Sequence, residues 1–172
     1  MAGRPTGVPG TCVACVMEGS RPILAEVQAL MAPTGFSAAR RTSNGFDYNR
    51  LYLLLAVLEK RGGMNVNSCD AYINIVGGLT LDEPAADLAA CLAIASSFRD
   101  RPLPDKLAAV GEVGLTGEIR SVQALDLRLS EIARLGFTQC VIPSRVRGGL
   151  KPPDGLELIR VKTLREAVEK TL

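Results

Sequence analysis

Gly111-Glu112-Val113-Gly114-Leu115-Thr116-Gly117-Glu118-Ile119-Arg120 is the stretch on which the fold turns. The apolar run from Leu107 to Val113 leads into it as a strand. Gly114 to Gly117 supplies a turn, and Glu118 to Val122 reads as the returning strand. The glycines do not make a dinucleotide fingerprint, because both the G-x-G-x-x-G spacing and the helix that should follow it are missing. Downstream, Leu125 to Leu135 is amphipathic, with Leu125, Leu129, Ile132 and Ala133 on one side and Gly136 as a stop. Cys140 to Pro143 is a short strand, residues 144–155 form a basic Gly/Pro-rich loop, Leu156 to Val161 is a last strand, and Thr163 caps a final helix.

Upstream, Pro84 sits at a first helical turn, and Ala85 to Phe98 is apolar nearly all round, the pattern of a buried helix. Ala71 to Val76 is a strand stopped by Gly77-Gly78. Leu51, Leu54, Leu55 and Leu58 mark a helix capped by Asp47 or Asn44 and closed by Glu59-Lys60-Arg61-Gly62-Gly63. Pro33 to Gly45 reads as a polar loop. Thr11 to Met17 and Ile23 to Met31 pair as a hairpin across Gly19-Ser20-Arg21-Pro22, a turn looser than the two-residue type. Residues 1–10, with Gly3, Pro5, Gly7, Pro9 and Gly10, read as an extended lead-in or linker remnant. Residues 11–172 then form one domain of the α/β class, an α+β sandwich with a mixed sheet and helices packed on it.

Composition narrows the chemistry. Of 172 residues, 47% are hydrophobic, which excludes a disordered tail. There is no His, which removes the Ser-His-Asp triad, Cys-His pairs and most catalytic zinc sites. The two ends of the chain are mildly basic and the middle is acidic. No P-loop and no G-x-S-x-G elbow is present. The five cysteines are Cys12, Cys15, Cys69, Cys91 and Cys140. Cys12 and Cys15 lie three apart on a strand and so face opposite sides, which suits buried thiols better than a redox pair or a metal site. Asp82, Glu83 and Asp87 gather at a helix start, where acids complement the macrodipole. No apolar run is long enough to cross a membrane.

Three segments resemble Lon-type protease domains. Gly111 to Arg120 is similar to their G-E-(I/V)-x-L-x-G-x-V segment, Val141-Ile142-Pro143 to the following strand, and Asp82-Glu83-Pro84-Ala85-Ala86-Asp87 to the D-G-P-S-A-G nucleophile segment. The resemblance sharpens toward one branch, the Lon-like domain of bacterial RadA-type (Sms) DNA repair proteins. It is carried by Met17-Glu18-Gly19-Ser20-Arg21-Pro22, Glu26-Val27-Gln28-Ala29-Leu30, Asn49-Arg50-Leu51, Leu58-Glu59-Lys60-Arg61, Val76-Gly77-Gly78 and Glu83-Pro84-Ala85-Ala86-Asp87-Leu88. Lon enzymes activate a serine with a lysine of lowered pKa and need no imidazole. Here Ala85 stands at the serine position. Gln123-Ala124-Leu125-Asp126 replaces the G-G-x-K lysine segment and puts Asp126 in the lysine's place.

The resemblance therefore implies a domain that is not an enzyme, has no catalytic residues and binds neither a cofactor nor a metal in this chain. The parent would be a DNA-dependent ATPase acting in recombination and branch migration, whose zinc finger and ATPase are not in this sequence. The domain's expected work is to support a homo-oligomeric, hexameric ring and to contact DNA, whether single-stranded, duplex or branched, in the cytoplasm at the nucleoid and away from membranes. Arg21, Arg40, Arg41 and Arg50 are the expected DNA-binding residues, since guanidinium matches phosphate geometry. The loop Arg145 to Lys151 is a second basic candidate, and Phe36, Phe46, Tyr48 and Tyr52 are the only aromatic cluster. Two other readings stay open: a Lon-like peptidase with a displaced nucleophile, for which Ser96 and Ser97 are the candidate serines, and a purely structural oligomerisation module.

Overall fold

The structure is a computed structural model and describes residues 3–35, 37–146 and 148–172. Thr11–Glu18 (β1) and Arg21–Pro33 (β2) form the antiparallel hairpin. Their register pairs Glu18 with Arg21, so only Gly19 and Ser20 form the loop. The turn is thus tighter than the sequence suggested. Gly19 at φ 61° supplies the positive φ that two-residue hairpin turns demand. Pro22 is part of the strand, opposite Met17. β4 (Cys69–Ile75) runs along β2 only as far as Val27, so Pro22 removes no donor from that ladder.

Arg41–Asn44 (β3) is a strand where a loop was expected. It pairs in parallel with β4 at the sheet edge, Arg41 opposite Ala71. Its sequence, Arg-Thr-Ser-Asn, carries no apolar alternation, and the strand is held by the ladder and by the Asp70 carboxylate, which accepts from the Arg40 amide at 2.7 Å. Tyr48–Lys60 (α1) follows, with the Asp47 carboxylate capping the Arg50 amide at 2.9 Å. A 3₁₀ turn at Pro84–Ala86 opens into Asp87–Arg99 (α2), whose residues Asp87 to Ser96 are all buried. The expected strand Leu107–Val113 is split: Leu107–Ala109 (β5) joins the main sheet, while Glu112–Val113 (β6) pairs with Ile119–Arg120 (β7) in a separate ladder. Leu125–Arg134 (α3), Gln139–Pro143 (β8), Glu157–Val161 (β9) and Leu164–Thr171 (α4) complete the chain.

The main sheet has the order β3-β4-β2-β1-β5-β8-β9 and is mixed, with parallel β1-β5-β8-β9 and antiparallel β1-β2-β4. One face packs Cys12, Ala14, Val27, Ile73 and Val141 against α1, α2 and α4. The other packs Val13, Cys15, Ala108, Cys140 and Ile142 against α3. Strands covered on both faces read as unbroken apolar runs, which is why β1, β5 and β8 show little alternation. Cys12 and Cys15 lie in opposite cores, as strand geometry required, and all five thiols are buried and unbridged. α3 covers β2 at its hairpin end, where Leu24 joins its core, while Leu30 farther along β2 and Tyr72 on β4 stay exposed. Residues 3–10 run beside this face. Arg4 bonds Glu26 at 2.6 Å and the Asp105 carbonyl, and Gly10 is pinned by the Ser96 hydroxyl at 2.9 Å.

Candidate functional site

At the end of the sheet toward which the parallel strands point, a cleft of about 510 Å³ opens. It is lined by Met17 and Gly19 of the hairpin, Glu83, Pro84 and Ala85, Glu112, Ser121 to Ala124, and Arg128. The break between β5 and β6 builds it. Gly111 donates its amide to the Ala85 carbonyl at 3.1 Å, and its carbonyl accepts from the Leu88 amide at 3.1 Å. A Cβ at Gly111 would stand 2.9 Å from the Ile119 side chain of β7 and 3.3 Å from that of Leu88, so glycine lets the backbone pass between β7 and the start of α2.

Ala85 is 3% exposed, and the segment around it is fixed by two ion pairs. On one side Glu83 pairs with Arg128, and its other carboxylate oxygen accepts from the Met17 amide at 2.9 Å. Arg128, 3% exposed, also donates to the carbonyls of Cys15 and Gln123 at 2.8 Å each. On the other side Asp87 receives both arms of the Arg50 guanidinium and the Val113 amide at 3.1 Å. Burial pushes the Asp87 carboxyl above its ordinary value, opposed by the Arg50 and Val113 hydrogen bonds, while Asp87 holds the Arg50 guanidinium further up. Glu83 and Asp87 are therefore more than acids at a helix start. Each is a partner in a bridge to another element, and Asp82 is the exposed member of the three.

The residues at the two expected dyad positions do not share the cleft. Asp126 opens instead onto the neighbouring hollow beside Val146, Gly148 and Leu150. No lysine lines the cleft. Ser96 and Ser97 are committed to structure: Ser96 is fully buried and accepts from the Gly10 amide, and Ser97 accepts from the Met31 amide at 2.9 Å. Ser121 is the one serine lining the cleft. Ala124 is in the left-handed conformation, φ 55°, where the protease segment G-G-x-K places a glycine.

The four expected DNA-binding arginines do not share one surface. Arg41 aligns through Ala71 with Met31, ten residues along β2 from Arg21, a span of about 33 Å at ~3.3 Å per residue. Arg21 is exposed at the hairpin tip. Arg41 donates to the Cys69 and Arg40 carbonyls, and the Arg40 amide is held by Asp70. Arg50 is committed to Asp87. Arg145 and Lys151 are exposed, whereas Arg147 and Phe36 lie outside the described residues. Phe46 is buried. Tyr48 and Tyr52 are exposed and meet edge-on at 5.0 Å. Among the described residues no group of three His, Cys, Asp or Glu could hold a metal ion, and no helix is long and apolar enough to cross a membrane.

Sequence reasoning missed Arg128, whose burial has no local signal beyond its place on the apolar side of α3.

Residues 63–172 match the family model described as the Lon protease (S16) C-terminal proteolytic domain. The chain is 48% identical over 169 residues to the DNA repair protein RadA of Halalkalibacterium halodurans, covering 98% of this chain and 37% of that protein. It is 48% identical over 167 residues to RadA of Streptococcus pneumoniae (97% and 40%) and 46% identical over 169 residues to RadA of Listeria monocytogenes (98% and 37%). The chain thus spans well under half the length of these relatives.

Proposed function

Since the chain belongs to the family of Lon protease (S16) C-terminal proteolytic domains, in the form carried by RadA-type DNA repair proteins, we propose that it is a non-proteolytic scaffold that supports a hexameric ring and contacts DNA. The observation that carries the reading is Ala85 at the nucleophile position, in a cleft that no lysine lines and in which Glu83 is paired with Arg128. A methyl group cannot attack a carbonyl. Arg128, the cation in the cleft, is paired with Glu83, and a guanidinium held in its charged form cannot take a proton from a nucleophile. The relatives' name supports the placement in DNA repair. Branch migration and ATP hydrolysis belong, on this reading, to parts of the parent outside this sequence, and the domain itself takes no cofactor.

Three measurements test the proposal. The chain is expected to leave unfolded casein intact and to take no label from a serine-reactive probe. A labelled Ser121 would revive the peptidase reading. Mass in solution at several concentrations, with and without DNA, is expected to show a closed oligomer, and a monomer under all conditions removes the ring. Salt-dependent DNA binding is expected to weaken in the Arg40→Ala/Arg41→Ala variant, and unchanged affinity removes those two residues. A ring with no DNA affinity at any salt would leave the purely structural module.

A further inference from the structure

Where Leu30 and Tyr72 stay exposed, the sheet carries a groove of about 390 Å³, walled on one side by Pro5, Val8 and Pro9. It lies at the Thr11 end of β1, about 20 Å along the strand from Met17 of the cleft at ~3.3 Å per residue. The strand registers set two rows of side chains across its floor. Thr11 stands opposite Gln28, Gln28 opposite Asn74, and Asn74 opposite Asn44. Two residues along each strand, roughly 7 Å away, Leu30 stands opposite Tyr72, and Tyr72 opposite Thr42.

The first row has hydrogen-bonding capacity to spare. The Asn44 side-chain amide donates to the Asn74 Oδ1 at 2.9 Å, which leaves the Asn74 NH₂ group as a donor and the Asn44 oxygen as an acceptor. Gln28 donates to Glu26 at 3.1 Å and keeps its own oxygen as an acceptor. Thr11 is 7% exposed, and its buried hydroxyl has no hydrogen-bond partner among the described residues. A buried hydroxyl without a partner weakens the fold, and a ligand that supplies one relieves that cost. The second row is apolar and open, with Leu30 59% exposed. Among the described residues no Lys, Arg, Asp or Glu lines the groove, and the Glu26 carboxylate is already paired with Arg4.

We infer that the groove binds an extended, uncharged segment of a partner protein, its backbone on the Thr11–Gln28–Asn74–Asn44 row and its apolar side chains on Leu30 and Tyr72. Each peptide group carries one donor and one acceptor, and the polar row offers both kinds at a strand spacing of about 4.8 Å. A charged ligand would lose its hydration there with no opposite charge to meet it. The same face already holds one segment without helix or strand, residues 4–10, through Arg4 on Glu26 and Gly7 on Asp105. A second chain laid beside Val8 and Pro9 would cover Leu30 and Tyr72 as α3 covers the hairpin end. Reaching a buried hydroxyl beside that wall takes a single chain, not a broad folded face.

The test is an NMR titration of the isotope-labelled full chain with acetylated, amidated hexapeptides of Val, Leu, Thr, Pro and Gly, and with the same peptides carrying a central Glu or Lys. Saturable shifts are expected in the side-chain amides of Gln28, Asn44 and Asn74 and in the Tyr72 ring. The charged peptides should bind about tenfold or more weakly, and Leu30→Asp should weaken the uncharged ones by about as much. Thr11→Val removes the hydroxyl and keeps the shape. It is expected to lower affinity about fivefold with a Tm equal to or above wild type, since it deletes an unpartnered polar group. A merely structural Thr11 would move the Tm and not the affinity. Tyr48→Ser/Tyr52→Ser, at the exposed pair on α1 outside the groove, should leave affinity unchanged. No shift with any peptide would overturn the proposal, as would wild-type affinity in both Leu30→Asp and Thr11→Val. Shifts confined to Ser121–Ala124 would overturn it in favour of the cleft. Shifts at Leu30 and Tyr72 that grow with protein concentration alone would overturn it in favour of a contact between copies.

Discussion

Arg128 is the only buried Lys or Arg among the described residues, and it answers three demands: the Glu83 charge and the carbonyls of Cys15 and Gln123. Removing one partner of a buried pair leaves the other charge uncompensated, at about 3–5 kcal/mol. Arg128→Met is expected to lose that much by urea unfolding, and Arg128→Met/Glu83→Met to recover a large part of it. A loss in the double variant equal to the sum of the Arg128→Met and Glu83→Met losses would show the pair to be uncoupled. The thiols give a second test at this scale. Burial pushes Cys12 and Cys15 from the ordinary 9.0 up to about 12. Between those values the unfolded chain has released protons that the folded chain still holds, so stability falls as pH rises from 9.0 toward about 12. Urea midpoints across that window should decline less steeply in Cys12→Ala/Cys15→Ala than in wild type, and parallel curves would contradict the assignment. In the native state at neutral pH these thiols should resist a disulfide reagent and react once unfolded.

The elements divide by how locally they are encoded. α1 was legible because Asp47, the leucine spacing and the Lys60-Arg61-Gly62 end all lie within its own sequence. Thr163 was legible for the same reason, and it accepts from the Glu166 amide at 3.1 Å. Thr163→Ala is expected to cost about 1 kcal/mol, read as a lower Tm. β3 was not legible, because four polar residues become a strand only when β4 lies beside them. The break after β5 was equally hidden, since Val110 still bonds Val141 of β8 and only Gly111 turns away, to the Ala85 segment. Ala124 is the position where sequence family and backbone disagree: it holds φ 55° with a Cβ attached. A left-handed alanine is disfavoured by roughly 1–2 kcal/mol, so Ala124→Gly should raise stability by about 0.5–1 kcal/mol after the added freedom of the unfolded chain is subtracted. A lower Tm in that variant would mean that the Ala124 methyl has packing the turn depends on.

In the whole molecule, the cleft shows how far sequence reached. Ala85 could be placed from the motif around it, but not the bridges that surround it, because Arg50 and Arg128 come from helices 37 and 45 residues away from their partners Asp87 and Glu83. The same topology fixes an order of opening. α2 is buried all round and packs on β1 and β2, which are themselves covered by neighbours on both edges. Exposing α2 uncovers the larger core, and exposing β1 or β2 uncovers both, so the amides of this unit should exchange only through global unfolding. β3 is a four-residue edge strand with one neighbour, and the described residues of 144–155 carry no strand or helix, so both should exchange by local opening. Native-state hydrogen exchange in low urea is expected to give amides of β1, β2 and α2 one shared free energy equal to the global value, with β3 and the 144–155 loop well below it. If α2 exchanged faster than the hairpin, the segment carrying Ala85 would open by itself, and the Glu83–Arg128 and Asp87–Arg50 bridges would not be holding it closed.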